Sequence, residues 1–281
     1  MTKIFIALLL NQAAYAQERI NLGVLGFSTG SGVSQEDAQT VEQYVVSRLS
    51  SDHRFRILDR SRLDAIQAER NIQQVLDTAD KTALSDLGAQ FVIMGEVSQV
   101  DTTREYIQNA GPQFKSTVTF GLRVLDVSTG EVTYSEQFST GRNVWKNMFS
   151  GFNGDKSTRA GSLDIALGIA GKQLDSFLAT AFPLTGEIVS VEATDRKGIP
   201  SQVLVTLGSE DGLNPASKLG AFLSEAIEAG GRTLIRKKPV GELAIIRIDG
   251  EHLAVFKVVS GGQAISQLIE QGRKIKVEAK P

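Results

Sequence analysis

Leu87-Gly88-Ala89-Gln90-Phe91-Val92-Ile93-Met94-Gly95-Glu96-Val97 is the stretch whose reading decides the fold. A short helix carrying Leu84 and Leu87 should stop at Gly88, since a glycine can take the left-handed conformation that closes a helix. The mostly apolar run from Phe91 to Val97 then reads as a strand. Upstream, Ile20 to Phe27 reads as another buried strand, and Ser28 to Ser34 is a Gly/Ser-rich turn. Ser34 followed by Asp37 resembles a capping box, after which Ala38, Val41, Val45 and Leu49 recur at helical spacing. Arg54 to Leu58 predicts a further strand, and Ser61 with Asp64 predicts a helix start around Leu63 and Ile66. The order strand, helix, strand, helix, helix, strand is that of an α/β layer.

Downstream the period changes from helical to two. Val118, Phe120, Leu122 and Val124 alternate, as a strand with one buried face requires. Ser128-Thr129-Gly130 is a turn, and Val132, Tyr134 and Phe138 share one face of the return strand, so an antiparallel hairpin is expected. Leu163, Leu167, Ala170, Leu174 and Phe177 form a helical stripe that Pro183 ends. From Leu184 onward the runs are short and punctuated by turns: Glu187 to Val191, Val203 to Leu207, Leu219 to Leu223, Val240 to Ile248, Leu253 to Val259 and Lys274 to Val277. Such spacing predicts a small β-barrel or sandwich. The fold class expected is α+β: an α/β domain with a mixed sheet and an antiparallel hairpin, then a small all-β domain. The expected division is residues 1–16 as a signal peptide, 17–183 as the α/β domain and 184–281 as the β domain.

Composition bounds the function. The 281 residues are 41% hydrophobic and 22% charged with a formal charge of -2, a balance unlike that of a chain made to coat nucleic acid. There is no cysteine, which excludes disulfides, thiolate metal sites, cysteine nucleophiles and a lipid-bearing cysteine. The two histidines, His53 and His252, lie far apart and each sits in a turn-like context. No catalytic residue, cofactor or metal site is predicted. Lys3, the apolar run Ile4 to Leu10, and the small residues of Ala14-Tyr15-Ala16 read as a secretory signal with cleavage after Ala16. A buried first strand over Lys3 to Leu10 is the alternative. No later stretch is apolar enough for a transmembrane helix, so any membrane association would use neither such a helix nor a lipid anchor.

Several segments invite a chemical reading. The loop Gly26-Phe27-Ser28-Thr29-Gly30-Ser31-Gly32 lies between a strand and a helix, where backbone N–H groups could cradle phosphate. It lacks the Walker lysine and the dinucleotide glycine spacing, and a βα turn is the default. Asp59-Arg60-Ser61-Arg62 with Glu69-Arg70 could form an anion site, but reads first as a helix cap and solvated helix charges. Arg236-Lys237-Lys238, followed by Pro239, reads as a solvated β-turn, with membrane-headgroup contact as the alternative. Trp145, Met148, Phe149 and Phe152 stand in a polar, glycine-rich segment. Aromatics so placed are interface anchors or a satellite core, and these four are the predicted interface.

The strand at Ile20 to Phe27, the segment Phe55-Arg56-Ile57-Leu58-Asp59-Arg60, the segment Leu87 to Val97, and Leu122-Arg123-Val124-Leu125-Asp126-Val127-Ser128-Thr129-Gly130-Glu131-Val132 together resemble the CsgG family of curli secretion channels. The tail, from Val205-Thr206-Leu207-Gly208 to Val258-Val259-Ser260-Gly261-Gly262, more loosely resembles the C-terminal domain of the flagellar H-ring protein FlgT. The resemblance implies a non-enzymatic periplasmic component of a cell-envelope assembly or secretion apparatus, near the outer membrane, that acts through contacts with envelope proteins and self-assembly into a ring. The alternative it implies is a ring-forming outer-membrane secretion channel subunit of the curli type, each subunit lending two β-hairpins to a pore. Between Val100 and Ser116 the sequence is polar and reads as too short for two membrane-crossing strands. Phe138 to Gly161 lacks sustained alternation.

Overall fold

The computed structural model describes residues 19–58, 84–108, 111–141, 155–213, 215–229 and 232–280. The signal segment, the helix expected around Leu63 and Ile66, the Asp59 to Arg70 charges, and Trp145, Met148, Phe149 and Phe152 lie outside these residues. Two units, Arg19–Leu184 and Thr185–Lys280, fold around separate cores.

The first unit is built on a mixed sheet. β1 (Ile20–Val24) pairs in parallel with β3 (Phe55–Ile57) on one side and with β4 (Phe91–Ile107) on the other. β4 pairs antiparallel with β5 (Gly111–Asp126), and β5 with β6 (Val132–Ser139), giving the order β3-β1-β4-β5-β6. A two-residue strand, β2 (Ser28–Thr29), lies within the expected turn and adds to β4. The alternating residues Val118, Phe120, Leu122 and Val124 are all buried. They meet α1 (Gln35–Ser50) through Ala38, Val41, Val45 and Leu49, and α2 (Arg159–Ala181) through the predicted stripe from Leu163 to Phe177. Phe120, Phe138 and Phe177 interlock with ring centroids 5.0 and 5.6 Å apart. On the opposite face Leu25, Val92 and Leu125 pack with Leu84, Ala89 and Val127 in a second, smaller cluster.

Local rules fix the ends. Ser34 caps α1 as its pattern predicts: its Oγ accepts the Asp37 N–H at 3.1 Å. Gly88 has φ +77°, the left-handed stop expected there. At Gly95 a Cβ would lie 2.4 Å from the Phe27 ring, so only glycine admits this close approach of loop and strand. Arg54 is used within the fold. Its guanidinium is held by Asp52, and Nη1 donates to the Leu178 carbonyl at 3.2 Å and to the Phe182 carbonyl, closing the C-terminal end of α2 with a positive charge.

The second unit is a closed barrel in the order β10-β11-β8-β7-β12-β9. Its strands are β7 (Thr185–Thr194), β8 (Pro200–Val205), β9 (Lys218–Ala229), β10 (Arg232–Ile248), β11 (Ala254–Ser260) and β12 (Lys276–Ala279). Val203, Val205, Leu219, Leu243, Phe256 and Val277 are buried. One correction applies. Arg236-Lys237-Lys238-Pro239 is not a turn; it lies in β10, paired with Phe222 to Glu225 of β9. The Gly261-Gly262 turn opens a helix, α3 (Gly262–Glu270), which the β-barrel carries beside its strands. There Gly261 supplies a left-handed residue and Ile265 is the buried anchor.

The β5–β6 turn shows how a motif becomes geometry. Asp126 Oδ1 accepts from Ser128 Oγ at 2.6 Å, Ser128 N at 2.8 Å and Thr129 N at 3.1 Å, while Gly130, at φ +74°, donates to the Asp126 carbonyl. The Ser128 hydroxyl, aided by the two amides and opposed by slight burial, holds the Asp126 carboxyl below its ordinary value. Its contribution to the turn is therefore present above the ordinary carboxylate pKa and is lost as pH falls through the lowered one. Ser128→Ala should move the Asp126 midpoint, followed by NMR titration, up toward the unperturbed value of about 3.9. An unmoved midpoint would contradict this account of the turn.

Candidate protein-docking site

The β4–β5 hairpin continues well beyond the sheet. β1 and β2 reach only Val97 on β4, and β6 pairs with β5 only from Thr119 to Leu125. The β4–β5 register nevertheless runs on, from Gln99↔Thr119 to Ile107↔Gly111. The polar stretch from Val100 to Ser116 thus forms the far ends of β4 and β5, Val100 to Ile107 and Gly111 to Ser116, each shorter than the about 9 to 11 residues of a membrane-crossing strand. Its seven pairs past Val100 make an arm of roughly 20 Å at about 3.3 Å per residue. A ribbon whose outer end is open to water needs no apolar alternation, so its strands carry none.

Hydroxyl groups root the arm. Thr102 Oγ1 lies 2.9 Å from Ser116 Oγ, which lies 2.6 Å from Ser162 Oγ on α2, and Ser162 in turn donates to the Arg159 carbonyl at 2.9 Å. Ser116 and Ser162 are buried, so each hydroxyl needs these partners. The Phe114 N–H donates to the Lys156 carbonyl at 2.8 Å, and Arg104 lies 5.8 Å from the centre of the Phe114 ring. Toward the tip, Tyr106 is 82% exposed and Ile107 49%. Tyr106 stands opposite Pro112, and Gly111 turns the chain with φ +76°. The other face of the arm borders a groove of about 820 Å³ lined by Asp101, Thr103, Glu105, Lys115, Thr117 and Ser139. Tyr106 and Ile107, consecutive on β4, present an aromatic and an aliphatic side chain to opposite faces of the arm tip.

The other predicted sites resolve differently. In the Gly26–Gly32 loop, the Phe27 N–H donates to the buried Glu42 carboxylate at 2.9 Å, and the Gly30 N–H donates to the Val97 carbonyl at 2.7 Å. Asp37, beside the helix start, is gripped by Arg159 Nη2 at 2.8 Å from both of its oxygens. A phosphate entering here would meet two carboxylates and donors already engaged. His53 is exposed in a turn. His252 Nδ1 lies 3.2 Å from both oxygens of the buried Asp211, which also accepts the Gly208 N–H at 2.7 Å. This clasp ties the loop after β8 to the β10–β11 turn, and no local sequence signal announces it, since the partners lie 41 residues apart. Among the described residues, no three His, Cys, Asp or Glu side chains gather as metal ligands. No helix among them is long and apolar enough to cross a membrane. Trp145, Met148, Phe149 and Phe152 lie outside the described residues, but the chain on either side of them does not. Gly141 borders the arm's groove, and Lys156 is bonded to Phe114.

The family model for curli production assembly/transport component CsgG matches residues 6–153, more than half of the chain. The chain belongs to the CsgG family. No curated protein matches it. Solved structures with a partial likeness include the hypothetical protein CT253 from Chlamydia trachomatis, at 15% identity, covering 58% of this chain and 99% of that one with a TM-score of 0.37. A PelC dodecamer from Paraburkholderia phytofirmans is 15% identical, with 58% and 90% covered and a TM-score of 0.33. The LpoB C-terminal domain from Escherichia coli is 16% identical, with 44% and 83% covered and a TM-score of 0.31. The CsgG match ends within the segment that follows β6, so the second half of α/β packing and the barrel lie beyond it.

The exposed tip makes a clean test of role against stability. Tyr106→Ala with Ile107→Ala should change the stability of the protein by no more than about 0.5 kcal/mol in urea unfolding, as expected for surface positions. A loss of several kcal/mol would mean that the tip is buried against another part of the fold.

Proposed function

We propose that this CsgG-family chain is a non-enzymatic periplasmic component of a cell-envelope assembly or secretion apparatus, acting through protein–protein contacts. The observation that carries the proposal is the β4–β5 arm, with Tyr106 and Ile107 exposed at its tip on a ribbon rooted by buried hydroxyls. Family membership supports the setting. The signal-like start of the sequence supports export to the periplasm, and the tail's looser resemblance to the FlgT C-terminal domain supports a docking role for the barrel. Trp145, Met148, Phe149 and Phe152 are further anchors in this reading. Envelope proteins and other copies of the chain are its partners.

One observation favours a second reading, a ring-forming outer-membrane channel subunit of the curli type. β4 and β5 project together as a hairpin, the element such a subunit would lend to a pore, although the seven projecting pairs fall short of the about 9 to 11 residues of a membrane-crossing strand. Against it, the arm carries Asp101 and Glu105 on one face and Arg104 on the other, and a lipid-facing surface would have to bury one set at several kcal/mol.

Fractionation of cells that make the protein separates the two. The docking component should leave with the periplasmic contents on osmotic shock, without detergent. Retention in the outer membrane until detergent is added would favour the channel. Recovery in the cytosol with an unprocessed start would overturn both.

A further inference from the structure

A second arm leaves the barrel unit. β12 pairs with β9 only through Leu219–Phe222, and β11 pairs with β10 only from Glu242 to Ile248. Between those limits β9 and β10 pair with each other alone, from Leu223↔Lys238 to Ala229↔Arg232. Both edges of this ribbon are therefore open among the described residues. An isolated two-stranded ribbon is marginal in water, and open edges invite a further strand.

Charge is sorted by strand. From Leu223 to Ala229 the charged residues are Glu225 and Glu228, both acidic. From Arg232 to Lys238 they are Arg232, Arg236, Lys237 and Lys238, all basic. Lys237 is bound to Glu278 and lies over the Phe222 ring, but Arg236, Lys238 and Glu225 have no ion pair within the described residues. Between the charges sit exposed apolar side chains, Ile227 on β9 and, at 66% exposure, Ile235 on β10.

We infer that the barrel arm joins a second copy of this chain head-to-tail, the β10 edge of one copy pairing with the β9 edge of the next. Arms pointing the same way then form an antiparallel ladder in which acidic and basic strands alternate. Pairing of like edges about a two-fold axis would set Arg236 and Lys238 against their own kind, or Glu225 and Glu228 against theirs, and like charges directly opposite destabilise a sheet. The sorted charges thus select a heterologous contact, which closes into a ring or runs on as a filament. Ile227 and Ile235 lie on opposite faces of the ribbon, and each gains a neighbouring strand on its own face. The inference rests on the self-assembly part of the proposed function and is independent of the β4–β5 arm.

Charge reversal tests it. The mass of the purified full chain is followed by analytical ultracentrifugation across concentration and salt. The wild type should form species larger than a dimer whose mass falls as salt is raised, because the paired charges are solvent-exposed. Glu225→Lys with Glu228→Lys makes both edges basic; Arg232→Glu with Arg236→Glu and Lys238→Glu makes both acidic, Lys237 staying with Glu278. Each variant alone should weaken assembly at least about tenfold in apparent Kd. An equal mixture of the two should recover the wild-type mass, since each then meets a complementary edge. Circular dichroism melts check that each variant is folded; should one not be, the salt series on the wild type decides by itself. A wild type that assembles with a mass indifferent to salt, or variants that assemble as well as it does, would overturn the arm while leaving self-assembly standing. A wild type that stays monomeric, or stops at a dimer, would overturn the head-to-tail contact altogether.

Discussion

The structure of the first unit depends on one continuous antiparallel register, β4 against β5, from Phe91↔Asp126 to Ile107↔Gly111. Two different forces hold its two halves. In the first half Val97, Phe120, Leu122 and Val124 are buried against α1 and α2, so the hydrophobic effect sets the register, and a slip of one residue would turn every apolar side chain to water. The second half inherits that register. It has no core of its own, and Ser116 and Ser162 fasten its base through hydroxyl contacts that an apolar pair could not provide. The arm projects because β4 and β5 stay paired beyond the ends of β1, β2 and β6.

That division explains what could be read from the sequence. The apolar alternation over Val118 to Val124, the Ser34 cap, the helical stripe of α2 and the stop at Gly88 are local signals with local causes, and the mixed sheet with an antiparallel hairpin follows from them. The arm carries no such signal: residues whose strand state comes from a partner across the hairpin look like a polar loop. The same holds for β10, where Arg236 to Pro239 has the composition of a turn but is held by pairing with β9. α3 leaves a helical signal, since Ile265, Leu268 and Ile269 recur at helical spacing, but it is short and follows a glycine pair that has the composition of a turn. Contacts such as Arg54 to the end of α2, or His252 to Asp211, join residues far apart in the chain and leave no trace in a single sequence.

The candidate sites differ in the same way. A glycine-rich loop between strand and helix suggests phosphate on pattern alone, yet Glu42 and Asp37 occupy the ground that an anion would need. Gly30 serves close packing instead, since a Cβ there would lie 2.9 Å from the Ser98 Cα, while Gly32 supplies a φ of +83° in open space. What the fold presents outward are ribbons: one from the sheet, tipped with Tyr106 and Ile107, and one from the barrel, with its charges sorted by strand. Both ribbons leave exposed side chains beyond the cores that set their register.

The most direct test places a photo-activated cross-linking amino acid at position 106, with the same group at the exposed Thr133 of β6 as a control, in cells with an intact envelope. Irradiation should join the arm tip to a protein partner far more efficiently than it does the control position. Cross-links from position 106 to lipid alone, or to nothing, would contradict the claim that this chain works by docking.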